Sequence, residues 1–394
     1  MAQVERLAFM GDEAVAYAVK QSNVDVIAAY PITPQTIIVE RLSEYVANGE
    51  LDAAFIQAES EHSALSICVG ASLAGARVYT STCSQGLALM HEIVYATSSM
   101  RAPMVMTIVN RSLNAPLNIH CEHGDIMAER DSGWIILFAA NVQEAYDLTF
   151  IAFKLGEDPS VLLPVSVNMD AFVLSHSIEP ITPISDEDAA KFLPPRKYEF
   201  EVDADKPITY GTMALPDVYM EFKMQLKEAV ESSAKIFEKV VSEYAKLSGR
   251  RYWYYQSYMI DDADAIVMAL GSTYGTLKTA AKKLRNEGLK IGVLALTMYR
   301  PFPEKQLAEI LRNTKALVVM DRAYSYGGIG GPLYTDILGT LYRNDIKIPV
   351  KNVVYGLGGR DFKLDEAEAV LRMALDGAEA GRFDVNVSWW GVKG

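Results

Sequence analysis

The chain has 394 residues, 50% hydrophobic and 22% charged, which is too long for one ordinary core and has the composition of a water-soluble protein of two domains. Its formal net charge of −13 argues against a nucleic-acid or anionic-membrane partner. No apolar run approaches the roughly 20 residues that span a bilayer, and the opening MAQVERLAFMGDEAVAYAV carries acids and no cleavable leader pattern, so a cytoplasmic protein with no membrane partner is expected.

From the N-terminus to about residue 180, short apolar runs alternate with helical patterns. VDVIAAY (24–30), AAFIQA (53–58), RVYTSTC (77–83), PMVMTIV (103–109) and SVLLPVSV (160–167) are nearly non-alternating, as strands buried on both faces are. Between them, TIIVERLSEYVANG, HSALSICVGASLAG and LMHEIVYATSSM have the spacing of amphipathic helices. Strand–helix–strand alternation predicts a doubly wound parallel α/β sheet over 1–180. Residues 181–260 change character. A proline- and acid-rich connector leads into a pattern long enough for a helix of about 30 residues that stops at Gly249. Over 261–394, DAIVMAL, KIGVLAL, ALVVMD and VKNVVYG restore the alternation and predict a second, smaller α/β domain.

In open parallel sheets ligands bind beyond the carboxyl ends of the strands, so the loops there carry the candidates. In YPITPQT (30–36), Pro31 biases Tyr30 toward extended geometry and ends the strand, Pro34 suits a first helical position, and Thr33 is placed as the N-cap. QAESEHSA (57–64) offers Glu59 and Glu61. These are either an acidic helix start or, for Glu61, a carboxylate pressed against an apolar helix and suited to proton transfer; His62 reads as a helix-surface residue. Arg111, just past the run PMVMTIVN, is either a salt-bridge partner of a loop carboxylate or a planar fork for a substrate carboxylate. His120, Glu122, His123 and Asp125 form no helix-spaced or closed ligand set, so no metal is expected on this chain. Cys68, Cys83 and Cys121 show no CxxC spacing, so no iron–sulfur cluster is expected either. GSTYGT (271–276) and YGGIGGP (326–332) fall short of a dinucleotide fingerprint.

Taken together and in order, YPITPQT, ESEHSAL, GASLAGARVYTSTCSQGLALMHE, NRSLNAP, DIMAERDSGW, NVQEAYDL, VLLPV, FVLSH, RPFP and YGLGGRD resemble the 2-oxoacid:ferredoxin oxidoreductase family. Over almost its whole length the chain is similar to α subunits of the pyruvate:ferredoxin oxidoreductase (pyruvate synthase) type. The resemblance implies a thiamine-diphosphate-binding fold of the pyrimidine-binding type, followed by a smaller α/β domain like the C-terminal domain of transketolase. It implies that Glu61 is the catalytic residue and hydrogen-bonds the aminopyrimidine of thiamine diphosphate, that Pro31 also lines the cofactor, and that Thr33 and Arg111 bind the 2-oxo acid. GDE (11–13) and GDI (124–126) lack the third glycine of the GDG motif that holds Mg²⁺–diphosphate in thiamine enzymes. The resemblance therefore puts the diphosphate, Mg²⁺ and [4Fe–4S] clusters on partner β, γ and δ subunits (γ and δ separate or fused), with coenzyme A as co-substrate and ferredoxin as electron acceptor. Pyruvate is the implied substrate. NIHCEHGD (118–125) departs from the family's pattern, which leaves another 2-oxo acid such as 2-oxoisovalerate, or a non-catalytic scaffold, as the alternatives.

Overall fold

A computed structural model describes residues 6–393. Its strands in chain order are β1 (Leu7–Met10), β2 (Val26–Ala29), β3 (Ala54–Gln57), β4 (Val78–Thr82), β5 (Val105–Asn110), β6 (Ile135–Phe138), β7 (Val165–Asp170), β8 (Ile178–Ile181), β9 (Tyr255–Tyr258), β10 (Ala265–Leu270), β11 (Ile291–Leu296), β12 (Met298–Arg300), β13 (Ala316–Asp321), β14 (Val350–Val354) and β15 (Val387–Trp389). Seven of them make one sheet in the order β12–β6–β7–β5–β4–β2–β3. Its pairs are parallel except the edge pair β12–β6. Every residue of β4, β5, β6 and β7 is buried, which is why these strands read as continuous apolar runs. SVLLPVSV contributes only its last three residues to β7. The stretch before them stays off the ladder, where Pro164 has no N–H to donate.

Six strands make a second sheet, β15–β14–β13–β10–β11–β9, parallel apart from β9 at its edge. β1 and β8 pair as a separate antiparallel ribbon. The two halves interlock, because β12 follows β11 directly yet lies on the edge of the first sheet, where the Phe138 N–H also donates to the Thr297 carbonyl at 2.8 Å.

Helices cover Thr36–Ala47, Glu61–Leu73 and His91–Ser99, close to the spacing-based expectation. The 30-residue helix Tyr219–Ser248 ends at Gly249, whose φ of 71° is the left-handed conformation that favours glycine at this position. Its later turns bury Phe237, Val240, Val241 and Tyr244 in the first core, whereas residues 219–222 are exposed. No helix among the described residues is long and apolar enough to cross a membrane.

Candidate functional site

Because β3, β2, β4 and β5 are neighbours and parallel, the loops at their carboxyl ends all open on one edge of the sheet. The chain runs from β2 outward to β3, then returns to the other side of β2 for β4. The topological switch, where open α/β sheets form a crevice, therefore lies between the ends of β2 and β4. Gln35, fully buried, spans that gap: its Nε2 donates to the Tyr30 carbonyl at 3.0 Å and its Oε1 accepts from Ser81 Oγ at 2.9 Å.

Four sequence candidates meet here. Pro31 and Thr33 are exposed on the rim, while Glu61 and Arg111 are buried at 7% and 6% exposure. Arg111 Nη1 donates to the Thr33 carbonyl at 2.8 Å and its Nε to the Asn118 carbonyl at 3.3 Å. Cys83 Sγ, 3.1 Å away, donates to the same Thr33 carbonyl. Arg111 thus holds the turn of β2, and the expected alternative of a salt bridge to a loop carboxylate is not what its guanidinium makes. The N-cap expectation for Thr33 is also corrected. The helix begins at Thr36, with Gln35 as N-cap and no side-chain cap. The two donors on the Thr33 carbonyl turn that residue toward β4 and β5, and a separate turn, Gln35 N–H to Ile32 C=O at 3.0 Å, closes before the helix starts.

Glu61 is the first residue of its helix, after Ser60, whose hydroxyl accepts the Ser63 N–H at 3.2 Å. Among the described residues its carboxylate has no hydrogen-bond partner. It lies against Gly86, where a Cβ would sit 2.7 Å from Glu61 Oε1 and 2.5 Å from Thr82 Oγ1. Any larger residue at 86 displaces the carboxylate, because Thr82 is buried and β-branched. His62 is half exposed, and its Nε2 faces Glu92 at 3.9 Å, as a helix-surface residue does.

Close to these groups is Asp125, which the sequence offered only within a metal set that was set aside. Its Oδ2 accepts the N–H of both Ser84 and Arg111 at 3.0 Å, and its Oδ1 accepts Asn110 Nδ2 at 3.1 Å and the Ile126 N–H at 2.8 Å. Burial pushes the carboxyl up, against the lowering by these donors. One side chain thereby fixes the ends of β4 and β5, with Ser84 held at a φ of 47°.

The loop after Arg111 is clamped from the second half of the chain. Asn118 Nδ2 donates to the Gly358 carbonyl at 3.0 Å, and the Gly359 N–H donates to the Cys121 carbonyl at 2.8 Å. Beside it lies a buried polar centre. His123 Nε2 and Asp170 Oδ1 are 2.6 Å apart, while Arg322 Nη1 reaches Asp170 Oδ2 at 3.0 Å and Cys121 Sγ at 3.1 Å. Ser272 bonds the same carboxylate through its N–H and its hydroxyl. Burial alone would raise the Asp170 carboxyl, but Arg322 and His123 outweigh it and hold the group well below the usual carboxylate range. Cys121, His123 and Asp170 have ligand spacing for a metal ion, yet the Arg322 guanidinium already bonds two of the three. Only a strand-end position, after ALVVMD, marks Arg322 in the sequence.

Sheet order and switch point define the first half as a doubly wound parallel α/β fold with its candidate site at the carboxyl ends of the strands. The family described as "Pyruvate flavodoxin/ferredoxin oxidoreductase, thiamine diP-bdg" matches residues 17–242, and "Pyruvate:ferredoxin oxidoreductase core domain II" matches residues 263–367. The chain belongs to the pyruvate:flavodoxin/ferredoxin oxidoreductase family. It is 48% identical to the pyruvate synthase subunit PorA of Thermotoga maritima over 375 residues, 95% of each chain. It is 42% identical to the ketoisovalerate oxidoreductase subunit VorA of Pyrococcus abyssi, over 97% of each chain. Among solved structures, the fold is similar to that of 2-oxoglutarate:ferredoxin oxidoreductase from Magnetococcus marinus, determined with 2-oxoglutarate, coenzyme A and succinyl-CoA bound. That match has a TM-score of 0.73 at 20% identity and covers 94% of this chain, which spans 65% of the other. A split-gene transketolase matches with a TM-score of 0.54 at 14% identity, over 94% of this chain and 99% of its own.

Proposed function

We propose that this chain is the α subunit of a pyruvate:ferredoxin oxidoreductase. In that reading the assembled enzyme catalyses the coenzyme A-dependent oxidative decarboxylation of pyruvate to acetyl-CoA and CO₂, reversibly, with reduction of ferredoxin. The observation that carries the reading is Glu61. Its carboxylate has no hydrogen-bond partner among the described residues, and it occupies room that a Cβ at Gly86 would take. Such a group can share a proton with a ligand, and the aminopyrimidine of thiamine diphosphate has a ring nitrogen that accepts one from a carboxyl group. Thiamine diphosphate, when bound, supplies the acidic carbon and the electron sink that decarboxylation of a 2-oxo acid requires.

This chain's own residues then have distinct tasks. Glu61 holds a proton at the ring nitrogen, the general acid–base role. Pro31 walls the exposed end of β2 against the cofactor. Arg111 orients the substrate carboxylate with Nη2, the guanidinium nitrogen that its two carbonyl bonds leave over, and lysine cannot make all three contacts at once. Thr33, on the turn that Arg111 holds, presents its exposed hydroxyl to the oxo acid. The three cysteines are buried and separate, with none of the spacing a cluster uses. That supports a division of labour in which Mg²⁺–diphosphate and [4Fe–4S] clusters belong to β, γ and δ partners. A second reading, the same chemistry on 2-oxoisovalerate, is favoured by the identity of 42% to the VorA relative.

The test is assembly with the companion subunits, followed by viologen or ferredoxin reduction. Reduction should require both a 2-oxo acid and coenzyme A, and pyruvate should rank first among pyruvate, 2-oxobutyrate, 2-oxoisovalerate and 2-oxoglutarate. A first rank for 2-oxoisovalerate would move the protein to the second reading.

A further inference from the structure

Between Tyr198 and Ala229 the chain exposes an unusual run of large apolar side chains. Phe200, Val202, Met213, Leu215, Met220 and Met224 are all more than half exposed, Met213 reaching 86% and Met220 76%. They sit on the strap that precedes the helix Tyr219–Ser248 and on its first turns, ahead of the later turns that bury Phe237 and Tyr244. Next to them is a cavity of about 320 Å³ lined by Met100, Tyr210, Tyr219, Phe222 and Leu226, with Lys223 at its wall. A protruding apolar ridge beside an apolar hole is more than a monomeric protein's scattered surface hydrophobics, and such patches mark interfaces.

Charge says what kind of surface covers it. Over 199–222 the sequence has six carboxylates, Glu199, Glu201, Asp203, Asp205, Asp217 and Glu221, against one cation, Lys206. Among the described residues none of the six is in an ion pair, whereas Lys223 donates to Ser99 Oγ at 3.0 Å and Lys227 pairs with Glu231 at 2.8 Å. A second copy of this chain would bring the same unpaired acids face to face. We propose that the strap 199–217 and the first turns of the helix Tyr219–Ser248 dock a companion subunit whose contact surface is apolar at its centre and rimmed by lysine and arginine, with one of its apolar side chains seated in the cavity. The inference rests on the reading of this chain as one subunit of a complex.

The test uses the chain with its co-expressed companions, comparing wild type with the double variant Met220→Glu, Phe222→Glu and with Asp217→Lys, Glu221→Lys. The first should leave the melting temperature and circular dichroism of the isolated chain unchanged, because Met220 and Phe222 are exposed, and should weaken companion binding roughly tenfold or more. The charge-reversed variant should associate more slowly and lose the salt dependence of the wild type, whose binding should weaken as salt rises. If the Met220, Phe222 variant binds companions as wild type does, the inference falls while the subunit reading stands. If the isolated chain instead self-associates through this surface and tightens with salt, a second copy is the occupant and the inference is overturned. A wild-type chain that binds no companion at all would overturn the subunit reading and the inference with it.

Discussion

At the scale of single residues, Arg111 and Thr33 separate binding from structure. The Arg111 guanidinium holds the turn of β2 through Thr33 and that of its own loop through Asn118, and it is fixed by its backbone bond to Asp125. Arg111→Lys keeps the charge and loses the fork. It should raise KM for the oxo acid with bound thiamine little changed, lowering kcat/KM about 10- to 150-fold, the equivalent of ~1.5–3 kcal/mol for a charge-assisted hydrogen bond; steady-state kinetics on the assembled enzyme measure it. For Thr33 the geometry sharpens the expectation. Since its hydroxyl caps no helix, Thr33→Val should shift stability by no more than about 0.5 kcal/mol while kcat/KM falls. Thermal melts beside kinetics decide this. A large loss of stability with unchanged kinetics would make the residue structural after all.

At the scale of elements, most of the legible runs are buried on both faces; AAFIQA, expected to be so, is instead the edge strand β3, with Ala54, Ile56 and Gln57 exposed. β4, β5, β10, β11 and β13 have no solvent side, so their sequences carry no alternation to confuse with a helix. β12 and β15 carry no comparable signal, being three residues long. β12 in addition pairs with a strand some 160 residues earlier, which no local pattern encodes. Pro34 reads as a helix start only if the chain enters the helix directly, and the carbonyl bonds of Thr33 interpose a turn. Of the candidate site, Glu61 and Arg111 could be proposed from the sequence because strand-end loops are where ligands bind in such sheets. Asp125 was named only in a metal set that was set aside, and Gly86, Asp170 and Arg322 not at all, because each matters through partners distant in sequence. Glu144 belongs at this scale too. It accepts the Ala140 N–H and Asn141 Nδ2 at the start of the helix Val142–Gly156, and Gln256 Nε2 from β9 at 2.8 Å. Burial pushes its carboxyl up to about 7, over the opposition of those donors. A folded-state value above the unfolded one of about 4.3 means that the native protein binds the extra proton between those limits. The contribution is complete below pH ~4.3 and is lost as pH rises through ~7, on the order of 3 kcal/mol in all. The gap in melting temperature between wild type and Glu144→Gln should therefore move against the wild type from pH 4.5 to 7.5, and a constant gap would clear Glu144 of this role.

At the scale of the whole molecule, the proposed function makes this chain one side of a larger site. The second half of the chain bears on the first through the Asp170–Arg322 centre and the clamp on the Arg111 loop, so the site's floor is rigid from within. The described residues do not close its open side: Tyr30, Pro31 and Thr33 stand exposed beside a buried Glu61 without a hydrogen-bond partner among them. That asymmetry is what a cofactor shared with a partner subunit would require, and it makes the role of Glu61 the central claim. The most direct measurement is exchange of the acidic ring proton of bound thiamine in the assembled complex, wild type against Glu61→Gln, with thiamine content and melting temperature matched. The amide fills the same space but cannot hold the proton as the carboxylate does, so exchange should slow by about 10²- to 10⁴-fold; exchange at the wild-type rate in a fully loaded Glu61→Gln complex would contradict the account.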